Sequence, residues 1–362
     1  MGFELRAASG DELMTPRTDA NVVATEGDVE LRSYLQECLD EHFGTRRAIQ
    51  TFDRQLCPYT SSFRIDELGV RLDDGSHVRL MLKDMSLAAM MEEARRARPA
   101  FLYDPRREID AYRLILPSAP AGIAALYGAV THPTADRYWL LLEQVRGLPL
   151  WQVGDVSIWA QAAAWIARFH RSFSPLEAQR LATRAGAFNY DADYYWRWMH
   201  RAQRFANGDV ARRRVLRRVE RGYAVAVAQL LRSRQTLIHG EFYASNVMIR
   251  KRATVRVCPL DWEMVAFGPA LIDLAALTAG WAESTQRALA RAYVAAASTR
   301  IGTGTTARRP SRLSHDFVKD FDCCRLHVAV RMLGWSNDWE PPRDHAHDWL
   351  GEAERISRRL CH

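Results

Sequence analysis

Two short segments carry side chains suited to chemistry on a phosphate. In Leu237-Ile-His-Gly-Glu-Phe-Tyr-Ala-Ser-Asn-Val-Met-Ile249 an apolar run ends in a turn that gathers His239, Glu241 and Asn246. In Val255-Arg-Val-Cys-Pro-Leu-Asp-Trp-Glu263 a second apolar run delivers Asp261 and Glu263. A carboxylate at the end of a buried strand, with a carboxamide at the end of another loop, makes a hard-cation site. Magnesium takes few protein oxygens and keeps phosphate and water as its other ligands. Glu241 and Asn246 stand five residues apart, so one loop can aim the carboxylate at an incoming hydroxyl and the carboxamide at the metal. A lone Asp after a strand is commonly a turn cap or half of an ion pair. It is the joint pattern that carries chemistry.

The elements that must position these groups divide into two lobes, with expected boundaries at residues 29–146 and 147–362 after a flexible segment 1–28. Leu31, Tyr34, Leu35, Cys38 and Leu39 recur at helical spacing over Glu30–Phe43. Strands are expected over 48–53, 61–71 and 77–83, with Asp73-Asp74-Gly75 as the hairpin turn between the last two. Helices are expected from Glu92 and over Pro105–Leu116, where proline suits a first turn. A further strand is expected over Tyr138–Gln144. The second lobe reads as mostly helical, over 158–169, 190–204, 209–231, 271–280, 286–297 and 315–333, around a short hairpin made by the two motif strands. A loop is expected over 302–310, and no internal repeat is visible. The fold class is α+β: a small antiparallel sheet lobe beside a helical lobe.

The 362 residues suffice for two cores, and 48% hydrophobic with 26% charged residues is ordinary for a globular chain. No apolar run reaches the roughly 20 residues needed to span a bilayer. The first residues lack a basic head followed by an apolar stretch, so no secretory signal is expected. Six cysteines, Cys38, Cys57, Cys258, Cys323, Cys324 and Cys361, lack zinc or disulfide spacing, which fits a reducing, cytoplasmic setting. The net charge of +7 suits a protein that handles anions.

The ordered set His239-Gly240-Glu241, Asn246, Asp261-Trp262-Glu263 and Asp273-Leu274-Ala275 resembles the aminoglycoside phosphotransferase and choline kinase-like superfamily, relatives of the protein kinases, over residues 45–335. The resemblance implies a bilobal protein kinase-like fold and an ATP-dependent, magnesium-assisted phosphotransferase acting on a small hydroxylated molecule. It implies that Glu241 is the catalytic carboxylate, that Asn246 and Asp261 hold magnesium, that His239 fixes the loop, and that Asp273 braces it. Lys83, at the end of Val78-Arg-Leu-Met-Leu-Lys83, resembles the family's third-strand lysine for the ATP phosphates. Its expected partner is Glu108, with Glu92 and Glu93 as alternatives. Leu140–Gly147 resembles the hinge, with Glu143 and Val145 at the adenine. Two departures stand out. Glu241 occupies the usual aspartate position, and Cys57-Pro-Tyr-Thr-Ser-Ser-Phe63 replaces a glycine-rich loop. There Thr60, Ser61 and Ser62 are expected to cover phosphates through hydroxyls and backbone N–H groups.

Two readings of Asn189–Met199 stay open. Asp191 and Asp193 beside Tyr194, Tyr195, Trp196 and Trp198 could hold a cationic, amino sugar- or choline-like acceptor, or the aromatic stripe could be core. Asp338, Glu340 and Asp344 form a second acidic group near Trp335 and Trp339. The basic run Ala211–Arg221 reads as a solvated helix face; no nucleic-acid or membrane partner is expected, and the oligomeric state is left as monomer or homodimer. Two alternatives to a small-molecule kinase are a nucleotide-binding pseudokinase or partner-binding protein, and a peptide or protein kinase docking through arginines 212–218.

Overall fold

The computed structural model describes residues 26–58, 62–206, 208–299, 310–335 and 347–361. The expected flexible segment therefore lies outside the described residues up to 25, and so do the expected loop up to residue 309 and the acidic group Asp338, Glu340 and Asp344. Helix α1 (Glu26–Phe43) lies on a five-stranded antiparallel sheet of β1 (Ile49–Leu56), β2 (Arg64–Leu72), β3 (His77–Asp84), β4 (Leu126–His132) and β5 (Arg137–Glu143), ordered β1-β2-β3-β5-β4. Successive side chains of a strand point to opposite faces. Leu80 and Leu82 accordingly pack with Leu31, Leu35 and Leu39 of α1, and Leu68, Val70 and Leu72 join them. The same alternation turns Met81 and Lys83 to the other face, toward the second lobe. The β2–β3 turn is made as expected, with Gly75 at φ 79° and Asp74 accepting from the Ser76 N–H at 2.9 Å.

Beyond β3 come α2 (Glu92–Ala97) and α3 (Arg107–Asp110), the latter continued by a π-helical turn over Ala111–Ile115. Ile109, Tyr112 and Ile115 bury against Leu140 and Leu142 of β5, which fixes this helix beneath the sheet. The second lobe holds short strands β6 (Leu148–Pro149) and β7 (Phe188–Asn189) and helices α4 (Val156–Arg171), α5 (Pro175–Arg184), α6 (Ala192–Arg204) and α7 (Val210–Leu230). After them come β8 (Gln235–Ile238), β9 (Val247–Lys251), β10 (Val255–Pro259) and β11 (Ala266–Pro269), then α8 (Leu271–Thr278), α9 (Glu283–Ser298), α10 (His315–Trp335) and α11 (Trp349–Leu360). Helix α10 packs on α6, α7, α8 and α11 at the centre of the lobe. This is the bilobal α+β fold expected, with a small antiparallel sheet lobe and a mostly helical one. No helix among the described residues is long and apolar enough to cross a membrane.

One expectation is corrected. The two motif strands do not pair with each other: β8 pairs with β11, while β10 forms its hairpin with β9 in the register Val257↔Ile249. The chain needs β8 and β11 to close the base of the loop 239–246, and the hairpin β9–β10 to carry Asn246 and Asp261 at its two open ends. Strand β4, α5 and α11 were not anticipated. Helix α5 had a readable start, since Ser174 and Glu177 form a reciprocal capping box.

Candidate active site

Lys83 meets two carboxylates. Its Nζ lies 2.6 Å from Glu108 Oε2 and 2.6 Å from Asp261 Oδ1. Of the three glutamates considered, Glu108 is the partner; Glu92 pairs instead with Arg96 on the surface. Glu108 Oε1 also accepts from the Trp262 N–H at 3.1 Å, so both of its oxygens act as acceptors, the geometry of an ionised carboxylate. Burial works against that charge and raises its pKa. Burial would likewise strip the proton from Lys83, but Asp261 and Glu108 outweigh it and hold the ammonium above its ordinary value. For Asp261, burial opposes charge, yet the Lys83 ammonium wins and keeps the carboxyl below the usual range. Asp261 leaves 30% of its side chain exposed and sits at φ 63°, a left-handed conformation rare outside glycine. Such strain persists only where the surroundings hold it, and here Lys83 and the Leu260 N–H bonded to Asn246 O do so.

The loop from His239 to Asn246 is held from below. Asp273, fully buried on α8, accepts from the N–H groups of His239 at 2.7 Å and Gly240 at 2.9 Å. His170 of α4 bonds the same carboxylate at 2.9 Å, with its other nitrogen on the Tyr293 hydroxyl. The His239 ring joins the Leu260 carbonyl through Nε2 at 3.0 Å and takes the Glu241 N–H on Nδ1 at 3.3 Å. That pattern requires a neutral ring, and burial lowers its pKa accordingly. Gly240 is at φ 83°, and a Cβ there would stand 2.1 Å from the Met264 carbonyl oxygen, so only glycine fits. Asn246 spends its Nδ2 on the Glu241 carbonyl at 3.1 Å, and its Oδ1, near Ser245 Oγ at 3.4 Å, is the oxygen left for a cation.

Glu241 differs from Asp261 in lacking a close cation. Its nearest is Arg331 of α10, with Nη2 at 3.8 Å from Oε1. Burial pushes the Glu241 carboxyl up to about 7, with Arg331 opposing and Glu263 and Asp261 reinforcing the rise. Arg331 is itself fully buried: Nη1 donates to the Gly240 carbonyl at 2.7 Å and the Tyr190 hydroxyl at 3.2 Å, and Nη2 to the Tyr243 hydroxyl at 2.7 Å. The sequence reading missed Arg331, and missed Arg98, whose Nη1 clamps both Glu263 oxygens at 3.0 and 3.1 Å. Glu263 is thereby spoken for. An arginine amid the apolar Val328-Ala-Val330 and Met332-Leu333 of α10 was the available signal for the first.

The remaining predicted residues fall in different places. The Glu143 N–H bonds the Ala125 carbonyl at 2.9 Å, and its carboxylate is forked by Arg256 at 2.6 and 2.8 Å. Val145 packs with Ala124, Cys258, Met248 and Leu260, an apolar patch between the lobes that adjoins Asp261 in sequence. Ser62 borders the cavity in front of Glu241, while Thr60 and Ser61 lie outside the described residues. Of the two readings of Asn189–Met199, core packing is the one the structure favours. Asp191 caps α6 through the Tyr194 N–H at 2.8 Å, and Tyr194, Tyr195 and Trp198 are core. A side chain that begins a helix satisfies its free N–H groups, and three aromatics on one helical face are drawn inward. On α7, Leu216 and Val219 are buried, Arg218 pairs with Glu354, and Arg212, Arg213, Arg214, Arg217 and Arg221 are exposed, the solvated face expected. The cavity that Glu241 does face, of about 750 Å³, is instead walled by Trp151, Trp281, Trp335 and Trp349.

The comparisons agree with this architecture. The family model described as the phosphotransferase enzyme family, APH, matches residues 77–310. An aminoglycoside 2'-phosphotransferase-IIIa solved as its GDP complex is 13% identical, with 91% of this chain and 98% of that chain covered at a TM-score of 0.53. A microcompartment-associated aminopropanol kinase is 15% identical, with 86% and 90% covered and a TM-score of 0.56. A macrolide 2'-phosphotransferase type I is 16% identical, with 92% and 98% covered and a TM-score of 0.52. At such identities the likeness shows the fold. No curated protein sequence matches the chain.

Proposed function

The chain belongs to the phosphotransferase enzyme family, and from that premise we propose that it transfers the terminal phosphoryl group of ATP to a hydroxyl of a small molecule. The observation that carries the reading is Lys83 held between Glu108 and Asp261, with the loop of Glu241 and Asn246 joined to the same strand end through the Leu260 N–H on the Asn246 carbonyl. Most of the work in such transfer is positioning and charge compensation. Lys83, kept charged by its two carboxylates, would receive the nucleotide phosphates. The apolar patch at Val145 and Leu260 would take the base, with the backbone of Glu143–Val145 along its edge. Ser62, with Thr60 and Ser61 beside it in sequence, would cover the phosphates.

Asp261 and Asn246 fit magnesium. The donor set is one carboxylate held ionised and one carboxamide oxygen, the few hard oxygens that ion takes from protein. When bound, the ion would neutralise charge on the phosphates. Glu241 would then accept the proton of the acceptor hydroxyl as its oxygen bonds to phosphorus and the bond to ADP breaks. A carboxyl near pKa 7 is a stronger proton acceptor than an ordinary one and is still ionised above neutrality. His239, Asp273 and Arg331 would fix the loop that aims it.

The test is ATP consumption over a panel of hydroxyl compounds, with product mass. Asp261→Ala lowers transfer by about a thousandfold or more; normal turnover in that variant refutes the mechanism. The place of Glu241 favours one second reading, a nucleotide-binding pseudokinase, which predicts Mg-ATP binding with no phosphorylated product from any panel member.

A further inference from the structure

Of Arg95, Arg96 and Arg98, only the last leaves water. Arg95 and Arg96 stay exposed, the first on the Leu87 carbonyl and the second on Glu92. Arg98 ends α2 in an extended conformation, φ −73° and ψ 122°. Pro99 follows it, and a residue before proline is turned away from the helical region. The Arg98 side chain is carried inward and keeps 7% of its area exposed. There Nη1 meets both Glu263 oxygens and Nη2 donates to the Leu102 carbonyl at 3.3 Å. Its Nε is buried with no partner among the described residues. The Phe63 ring centre lies 5.4 Å from the guanidinium carbon and 5.9 Å from Lys83 Nζ, so two cations share one aromatic group.

Three successive residues after β10 are tied to the first lobe. Asp261 meets Lys83, the Trp262 N–H meets Glu108, and Glu263 meets Arg98 through its carboxylate and Arg107 through its carbonyl. The two carboxylates of this run are left in opposite states. Asp261 spends Oδ1 on Lys83 and keeps 30% of its side chain exposed. Glu263 is buried, and both of its oxygens face an N–H donor. A cation reaching Glu263 would have to displace a buried guanidinium and leave it without its anion, which is strongly disfavoured. Arg98 also acts past Glu263. Burial pushes the Glu241 carboxyl up and works against the charge of Asp261, and Arg98 opposes it at both.

We propose that Arg98 stands in place of a second divalent cation: it closes Glu263 to metal and leaves the chain a single magnesium, at Asp261 and Asn246. Arg98 is a positioning residue here, since it acts through Glu263 and touches no reacting atom. The inference rests on the phosphotransferase reading for the nucleotide and its metal. Two carboxylates so close in sequence could otherwise serve two ions, the arrangement that clamps a displacement at phosphorus from both sides. A guanidinium is always charged, so it supplies one of those charges at any metal concentration.

Manganese takes the same oxygen ligands as magnesium. Electron paramagnetic resonance counts it on the full chain with one equivalent of a non-hydrolysable ATP analogue, and ATP consumption with product mass follows transfer separately. The parent binds about one manganese per chain, and Arg98→Gln binds about two. Adding Glu263→Gln to Arg98→Gln returns the count to about one, which places the added ion at Glu263. Arg98→Lys keeps a cation on Glu263 and stays at about one, which separates lost charge from misfolding. Turnover of Arg98→Gln falls about tenfold at low magnesium and recovers as magnesium rises, a response that loss of a structural prop would not give. A parent that binds two ions overturns the proposal, and this count holds even where Arg98→Gln fails to fold. So does a folded Arg98→Gln that stays at one. One manganese with no phosphorylated product upholds the role of Arg98 and refutes transfer. Product from a parent that holds two does the reverse.

Discussion

Asp261 and Glu241 lie near enough to influence each other's charge, and each is a carboxylate that follows a short strand. Asp261 has the Lys83 ammonium at 2.6 Å and is held ionised despite its burial. Glu241 has Arg331 at 3.8 Å and the more remote Arg98; the first guanidinium is already shared among the Gly240 carbonyl and two tyrosine hydroxyls, and the second is clamped on Glu263. Its carboxyl is pushed up to about 7. The difference is one of distance and competition, since the formal charges available are similar. A permanently ionised group suits a metal, and a group poised near neutrality suits a proton that must move. One hairpin and one loop thus hold two carboxylates in different electrostatic roles.

The comparison breaks most completely at Lys83. Lys83→Met leaves Glu108 and Asp261 buried without their shared cation, so Asp261 loses the influence that keeps it ionised. Transfer falls by about a thousandfold or more and nucleotide binding weakens, as steady-state kinetics and a nucleotide titration will show. Because Asp261 is one of the groups that raise the Glu241 pKa, an Asp261 that takes up a proton lowers the kinetic pKa of Glu241 in whatever activity remains; an unmoved pKa would mean that the two sides are independent.

Arg331→Met attacks the other side. Removing a fully buried cation orphans the Gly240 carbonyl and the Tyr243 and Tyr190 hydroxyls, with an expected stability loss of about 3–5 kcal/mol in urea unfolding. Because Arg331 opposes the rise of the Glu241 pKa, the acid limb of kcat/KM moves to higher pH in this variant. Loss of stability with an unmoved limb would reduce Arg331 to a structural prop.

Glu241→Gln isolates the proton. In the parent, kcat/KM climbs as pH rises through about 7 and levels above it; in the variant that limb disappears and transfer drops about a hundredfold. Stability moves in the opposite sense. The folded pKa lies above the unfolded one, so the unfolded chain ionises first as pH rises from about 4.5 to about 7, and the parent loses stability across that window. Glutamine carries no such penalty. The melting temperature of Glu241→Gln, relative to the parent, therefore rises between about pH 5 and about pH 8. A pH-independent difference would mean that Glu241 is an ordinary carboxylate.

What could be read from the chain alone follows from how local the signal is. The alternation of β3 put Lys83 on the face opposite Leu80 and Leu82, and the Asp73-Asp74-Gly75 turn fixed the β2–β3 register; both are properties of a few adjacent residues. The bilobal α+β architecture rested on an ordered set of motifs and was legible for that reason. Strand β4 was not, because Gly128 and Ala129 within it carry no strand preference and every residue is half-buried or exposed. Arg331 and Arg98 were illegible for a different cause. Their partners lie 91 and 165 residues away, and nothing near them in sequence states which carboxylate or carbonyl they meet. The aromatic stripe of α6 read equally as core or site, and burial alone separated the two. The cavity's tryptophans come from four separate segments, so no window of sequence contains it.

The smallest expected effect, and the sharpest, is Glu241→Asp. A carboxylate one methylene shorter sits roughly 1 Å back, a displacement to which catalysis is sensitive. Backbone adjustment could restore it, but this backbone is pinned at three successive points. Gly240 O accepts from Arg331, the Glu241 N–H bonds His239 Nδ1, and Glu241 O accepts from Asn246. Moving Glu241 forward would break at least one of these, and Gly240 has no slack against the Met264 carbonyl. The loop therefore holds still and the shorter side chain falls short, lowering kcat about tenfold with little change in nucleotide KM. The kinetic pKa also drops below about 7, because an aspartate in the same buried place starts from a lower ordinary value than a glutamate. If Glu241→Asp instead matches or exceeds the parent, the loop is adjustable, and the contrast between a carboxylate held ionised and one finely placed near neutrality fails.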